Sequence, residues 1–577
     1  MKSIRISLLF VSFLLCLLAR ARVRGIELDV KDTVTLNGLI SLSTCDNIHL
    51  RVRAVETLAF IRRSKALSAL IRACSDAHPF VRQAAARGLG RRKEKEAAAH
   101  LLKLLEDNHT PVRLSAARSI AATENNHMIK RIAPMIFTLP PATAAELAAL
   151  YFTGMKKEAD MSVVKKALSS EVPVLQKAAV VWIGNQTASS LRSRVAELLS
   201  SPHIPLRGEV LVTLGKLGNA RDFALLKTHS KSGHYLIRRC CARGCGYLNT
   251  KESRQVIIAL ASDKDYTIRE AAAKSLEKAP VREALVPLIA LLEDEIIEVR
   301  HRAAISLAAL NPPNLGKDLD RCLTSNRSEV RKEAVFALGN SDNRKWEPLL
   351  IQSLTDSCAD VVVESVLGLD NIGSARCHAP LVTHGLSHSS WKVRMNAART
   401  LGNHKAVTVV SALPPLLEDK KSEVGVAAIK AIRRIHSPKV AAAVLKQSRK
   451  YNRISGTIRE HCYLYLGEIN FRNAIPVFYQ VMNEKIIAVP QAPNEHDSPA
   501  CRAAAARALE LMKADDAQSL KQLELLYNTG PYKAKKASAR ALKTLTGKEY
   551  AVQEEYTWKS YFLESIVPFR PPGSKKR

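Results

Sequence analysis

One ten-residue phrase recurs along this chain at a nearly fixed interval. It reads Val81-Arg82-Gln83-Ala84-Ala85-Ala86-Arg87-Gly88-Leu89-Gly90, returns as Val112-Arg113 leading to Ala116-Ala117 and Ile120, and returns again as Ile268-Arg269 with Ala272-Ala273 and Leu276. Further copies start at Val299-Arg300, at Val330-Arg331 with Leu338-Gly339, and at Val393-Arg394 with Leu401-Gly402. The Arg position of the phrase falls at Arg51, Arg82, Arg113, Ala145, Gln176, Arg207, Arg238, Arg269, Arg300, Arg331, Val362, Arg394, Gly425, Arg459, Arg502 and Lys535, and the first twelve intervals are all 31 or 32 residues. Ala145, Gln176, Val362 and Gly425 mark units that lost the charge and kept the apolar frame. Such a period marks a supersecondary unit that buries its apolar face only by stacking on its neighbours. A chain of 577 residues is too long for one ordinary core, and here it grows by repetition.

Each unit carries two helical patterns. Runs such as 94–106, 282–293 and 407–418 have apolar residues at three- and four-residue spacing and form the first helix; the phrase itself forms the second. Six residues before the Arg position stands Asp76, Asp107, Asp263, Asp294, Asp356 or Asp419, or else Ser170, Ser201, Ser232 or Ser325. Both residue types accept backbone N–H groups at a helix start, and Pro79, Pro111 and Pro205 stand where a first helical turn tolerates proline. Composition agrees with an all-α chain: hydrophobic residues are 47%, aromatics 5%, and Gly and Pro only 24 and 25, which excludes collagen, a β-sandwich array and a disordered chain.

The paired helices, the Asp and Arg six apart and the Val-Arg-x-x-Ala-Ala-x-x-Leu-Gly frame resemble HEAT repeats of the short bacterial type, similar to those of phycobilisome-lyase-like proteins. The resemblance covers about residues 30–549. It implies a right-handed α-solenoid of about sixteen repeats, with a contour of ~130–160 Å at the usual helix-packing distances. It also implies that Asp76, Arg82, Asp107, Arg113, Asp263, Arg269, Asp294 and Arg300 form a structural ladder between repeats, and that residues 545–558 resemble a terminal cap.

Helical geometry orients the surface. With the Val position at zero, positions four, five and eight of the second helix point to about 40°, 140° and 80°, and position six to about 240°, away from the core. In HEAT solenoids the second helices line the concave side, so position six is expected to form a row along it. That row contains the apolar runs Leu150, Val181, Val212 and Ile305, Phe336, Leu367, and the basic pairs Arg87, Arg118, then Arg243, Lys274, then Arg399, Lys430. An apolar stripe flanked by charge suits an amphipathic helix or an extended peptide of another protein. The alternative is that the apolar residues pack against the neighbouring repeat.

The N-terminus reads as an export signal. Lys2 and Arg5 precede the uncharged stretch 7–19, and Ala19-Arg20-Ala21 offers a cleavage site; the stretch is short for a membrane span, although Arg20, Arg22 and Arg24 also fit an uncleaved anchor. The expected organisation is a signal or anchor at 1–21, a solenoid at 22–549 with a Pro-rich loop at 484–499, a cap at 550–567 and a basic tail at 568–577. The protein is therefore expected outside the cytoplasm or anchored at the membrane. Ten of the eleven cysteines follow the signal, and several fall on core positions, as Cys241 and Cys245 do, which favours buried thiols over a disulfide framework.

Chemical signatures are sparse. Cys377, His384 and His388 share a first helix, but Cys377 stands ~10 Å up the axis from His384, too far to complete a zinc site, and His388 takes the turn position of its unit. There is no phosphate-binding glycine loop, no G-x-S-x-G, no H-E-x-x-H and no His-Glu dipeptide, so no catalytic residue, cofactor or small-molecule substrate is inferred. Lys and Arg exceed Asp and Glu by 33, which keeps nucleic acid and anionic lipid as alternatives to a protein partner.

Overall fold

The computed structural model describes residues 33–92, 96–122, 126–155, 159–450, 454–483 and 499–552. The segment expected to be an export signal or anchor, the expected loop at 484–498, the expected cap beyond 552 and the basic tail lie outside the described residues. All regular structure among the described residues is helical. Sixteen second helices carry the sixteen repeat positions, from Ile48–Leu58 with Arg51 to Tyr532–Thr546 with Lys535. The chain divides into two compact units, 1–284 and 285–577.

First helices are shorter and less regular. The run expected at 94–106 forms Ala97–Leu104, and 407–418 is not an α-helix but two 3₁₀ turns, Val407–Ala412 and Pro414–Glu418. The cause is local: Pro414 and Pro415 remove two donors, and Val407, Thr408, Val409 and Val410 are β-branched. Tyr527 Oη donates to the Ala551 carbonyl at 2.6 Å, where the expected cap begins.

Arginine and aspartate tie successive second helices. Arg82 Nε and Nη2 donate to Asp107 Oδ2 and Oδ1 at 2.6 and 2.9 Å, while Arg82 Nη1 donates to the Asp76 carbonyl six residues back at 2.8 Å. Asp107 also accepts the His109 N–H at 2.9 Å, so one carboxylate both shapes its own turn and receives the arginine of the preceding repeat. The same arrangement joins Arg51 to Asp76, Arg238 to Asp263, Arg331 to Asp356 and Arg394 to Asp419, with ion-pair distances of 2.7–3.0 Å. Burial pushes the Asp107, Asp263, Asp356 and Asp419 carboxyls up, but the arginine and backbone hydrogen bonds outweigh it and hold all four below the usual carboxylate range.

Not every arginine of the frame has such a partner. Arg113 and Arg300 donate to the carbonyls of Asp107 and Asp294 in their own turns at 2.6 and 2.7 Å. Twenty-five residues further on, where the other rungs have Asp, stand Thr138 and Ser325, and the buried Nε of each arginine lacks an acceptor.

The Leu-Gly ending of the phrase sets the helix spacing. An added Cβ on Gly339 would lie 2.6 Å from the Gly368 Cα, and one on Gly402 would lie 2.6 Å from the Ala431 Cα, so consecutive second helices touch through their backbones. Gly215 meets the Gly244 carbonyl in the same way, and Ser119 and Thr213 at the facing position donate to the Ala86 and Val180 carbonyls at 2.9 and 3.1 Å.

Candidate binding surface on the second helices

The outward row separates into distinct environments. Arg87, Arg118, Lys274, Arg399 and Lys430 are exposed and Arg243 is half-buried. Leu150, Val181, Ile305, Phe336 and Leu367 are half-buried. Val212 departs from the expectation of an exposed row, being fully buried at 0% exposure. The reason is the approach of Ile204–Leu217 to Tyr235–Leu248 through Gly208, Gly215 and Gly244, which leaves too little width for an open face there.

The basic residues near the N-terminal end are partly neutralised on the same face. Arg87 pairs with Glu56 at 3.5 Å, and Arg118 pairs with Glu146. Phe336 lies against the His301 ring with centroids 4.8 Å apart, and His301 Nδ1 reaches the buried Glu333 at 2.9 Å. This residue of the second apolar run is thus supported from one side.

A cleft opens in the first apolar run, between Pro141–Met155 and Pro173–Gln186. Its volume is about 430 Å³, and Phe152, Val174, Val181 and Trp182 supply apolar wall while Lys177 and Asn185 supply polar groups. Phe152 and Trp182 are 6.2 Å apart between ring centroids, and Val174 is 50% exposed. Ala145 and Ala149 explain the space: Ala145 stands where an intact repeat has arginine, so no long side chain crosses the cleft. A smaller hollow of about 270 Å³ between Ile48–Leu58 and Pro79–Arg92 holds Phe80 beside Arg53, Glu56 and Arg87. Sequence reading found Val181 from its angle and missed Phe152, Val174 and Trp182, whose signal was the loss of arginine at Ala145.

The family model for HEAT repeats matches residues 36–121, 224–308 and 379–454, each spanning helix pairs of the kind described above. Over these three stretches the chain is built of HEAT repeats. The match is to the general HEAT model and does not single out the phycobilisome-lyase subgroup. No curated protein matches this chain in sequence. Among solved structures, yeast importin-beta is similar at 12% identity, covering 89% of this chain and 78% of its own, with a TM-score of 0.49. The Kap95:Nup1 complex gives 12% identity, 88% and 83% coverage and a TM-score of 0.49. Importin beta in an ammonium sulfate condition gives 14% identity, 89% and 77% coverage and a TM-score of 0.47.

The cysteines and histidines of the HEAT repeats occupy several settings. None of the ten cysteines among the described residues is in a disulfide, and eight are buried. Burial pushes the Cys74 and Cys245 thiols up to about 12, which keeps them protonated and unreactive. His384 is exposed, whereas His388 Nδ1 accepts the Ser390 N–H at 2.9 Å, the turn role that Asp plays in intact repeats. No helix of the described residues is long and apolar enough to cross a membrane.

Proposed function

We propose that this protein is a non-enzymatic scaffold that captures a segment of another protein on the outward faces of its second helices. The cleft beside Val181 carries the reading. It combines about 430 Å³ of space, two aromatic walls and a few polar groups, the composition that an amphipathic helix or extended chain fills with one or two apolar side chains. Leu150 borders the same run, and Ile305, Phe336 and Leu367 form the corresponding surface of the second unit. In the first unit the exposed Lys274 and the half-buried Arg243 would steer an acidic flank of the ligand, and on the second unit the exposed Arg399 and Lys430 would do the same for a segment bound there. Export or membrane anchoring through residues 1–21 is part of the proposal, and a fusion of that segment to a reporter active only outside the cytoplasm tests it directly.

The decisive experiment places a photo-crosslinking residue at Val181 in the full chain and captures the partner from native cells, with nuclease and high-salt arms. A protein crosslinked at this position in both arms, with binding weakened ~10-fold or more by Val181→Asp, is the expected result. Recovery that depends on nucleic acid, or on vesicles of anionic lipid, would replace this reading with one of the charge-based alternatives. The ion pairs of Arg87 and Arg118 with Glu56 and Glu146 speak against those alternatives on that part of the surface.

A further inference from the structure

The first helix of the repeat containing Arg394 starts in an unusual way. Ala375–Cys377 is a 3₁₀ turn, His378–Pro380 continues as α, and Leu381–Leu386 winds as a π-helix, a geometry that in other helices concentrates at functional sites. Cys377 is fully buried and His378 is 8% exposed. His404 caps the end of the second helix Trp391–Asn403 and brings its ring, with a side chain 5% exposed, to the same point. One ligand atom from each of Cys377, His378 and His404 lies within 4.8 Å of the other two.

Glu347 stands one repeat before His378, at the equivalent position, and is 5% exposed. Its charge bears on both Cys377 and His378. Two polar atoms of this group are buried with no hydrogen-bond partner, Glu347 Oε1 and His378 Nε2. A buried carboxylate oxygen and a buried imidazole nitrogen without partners each cost stability unless something else satisfies them.

We propose that Cys377, His378 and His404 bind one zinc ion as three ligands of a tetrahedral site whose fourth position takes water. The geometry fits. With Zn–S near 2.3 Å and Zn–N near 2.1 Å, a tetrahedral ion places sulfur and nitrogen about 3.6 Å apart. Cys377 Sγ and His404 Nδ1 are 3.8 Å apart. The other nitrogen of His404 faces the Asp370 backbone carbonyl at 3.1 Å; donating a proton there leaves the Nδ1 lone pair for a metal, as in most metal-bound histidines. The Asp370 carboxylate is itself held by two contacts of 3.0 Å from Asn403 Nδ2, so this supporting layer is fixed.

The charge balances. One thiolate ligand and the buried Glu347 carboxylate nearby offset a divalent ion, and both imidazoles enter as neutral ligands. The Cys377 Sγ lies 3.0 Å from the Ser374 carbonyl. A Cys/His donor set selects zinc over calcium or magnesium, which prefer oxygen ligands. The ion would join the first helix of this repeat to the end of its second helix, acting as a staple.

The test uses the full-length chain, stripped with a chelator and titrated with Co²⁺ as a spectroscopic probe. One equivalent should produce the intense visible bands of a tetrahedral site together with a thiolate-to-cobalt charge-transfer band, and Zn²⁺ should abolish both by displacement. Cys377→Ser should remove the charge-transfer band. His404→Gln should weaken binding by more than the ~10–100-fold that loss of an outer-shell partner costs. Glu347→Gln keeps the side-chain shape and should weaken binding ~10-fold, which secures the test if Cys377→Ser fails to fold by circular dichroism. His384→Gln and the partly exposed Cys45→Ser and Cys358→Ser should leave the titration unchanged. Absence of a saturable one-equivalent signal, or a charge-transfer band that survives Cys377→Ser, would overturn the proposal.

Discussion

Two stretches of the first unit share one repeat frame and hold it together differently. Around Arg51, Arg82 and Arg238 each arginine forms an ion pair with the aspartate of the next turn, at 3.0, 2.6 and 2.7 Å. From Arg113 to Arg207 four consecutive positions have no carboxylate at the corresponding place; Thr138, Ser170, Ser201 and Ser232 stand there instead. The three serines still shape their turns, accepting the N–H groups of Val172, His203 and His234 at 3.1, 3.3 and 3.3 Å. Turn formation therefore needs only a short acceptor, while the charge performs a second task, tying one second helix to the next. Where that tie is missing and Ala145 replaces arginine, the cleft of about 430 Å³ opens. A tether elsewhere in the stretch, Arg192 to the fully buried Asp222 at 2.9 Å, joins first helices and leaves the second-helix face free.

The comparison breaks most visibly at a rung. Asp107→Ala leaves the two Arg82 donors and the His109 N–H without their acceptor and is expected to cost about 3 kcal/mol, whereas Ser201→Ala removes one turn bond and costs ~1 kcal/mol. Denaturant unfolding followed by circular dichroism reads both, and equal losses would mean that the ladder adds nothing beyond the turn.

The outward row gives the next largest contrast. Val212→Ser puts a hydroxyl into a fully closed site and should cost about 2–3 kcal/mol, while Ile305→Ser, Phe336→Ser and Leu367→Ser, at half-buried positions, should each cost ~1 kcal/mol or less. A reversed order in thermal melts would show that the second apolar run is core.

The smallest effect is that of pH. Arg82 and Arg238 hold Asp107 and Asp263 below the usual carboxylate value of 3.8, despite the opposing push of burial. A depressed folded-state pKa gives stability that is complete above the unfolded value and lost as pH falls through the folded one. The tied repeats should thus lose ~1 kcal/mol per rung on acidification below about pH 4, with the Arg113–Arg207 stretch changing less. Hydrogen exchange at stepped pH separates the two stretches, and a uniform loss along the unit would contradict the assignment.

Much of this fold was legible because the repeat is written in residues with single structural uses. Arginine at 31- or 32-residue spacing placed the second helices even in the four units that lost the charge, since mostly apolar or small residues kept the frame positions. A helical wheel sees one helix at a time, however, and this is why Val212 misled. Its burial comes from the distance between helices, which Gly208, Gly215 and Gly244 allow. The α reading of 407–418 failed where two adjacent prolines outweighed apolar periodicity. Cys377 and His404 were not legible as neighbours for a similar reason: they are 27 residues apart, and His404 lies past the end of the repeated phrase, where the frame gives no angle.

Loss of the arginine at Ala145, together with its rung to the next turn, opens the cleft of the first unit. Hydrogen exchange by mass spectrometry on the full chain under native conditions addresses this most directly, comparing Pro141–Met155 and Pro173–Gln186 with Pro79–Arg92 and Tyr235–Leu248. The account predicts faster exchange in the first pair, slowed when Ala145→Arg and Ser170→Asp restore a rung. Equal protection in all four helices, or no response to the restored pair, would contradict it.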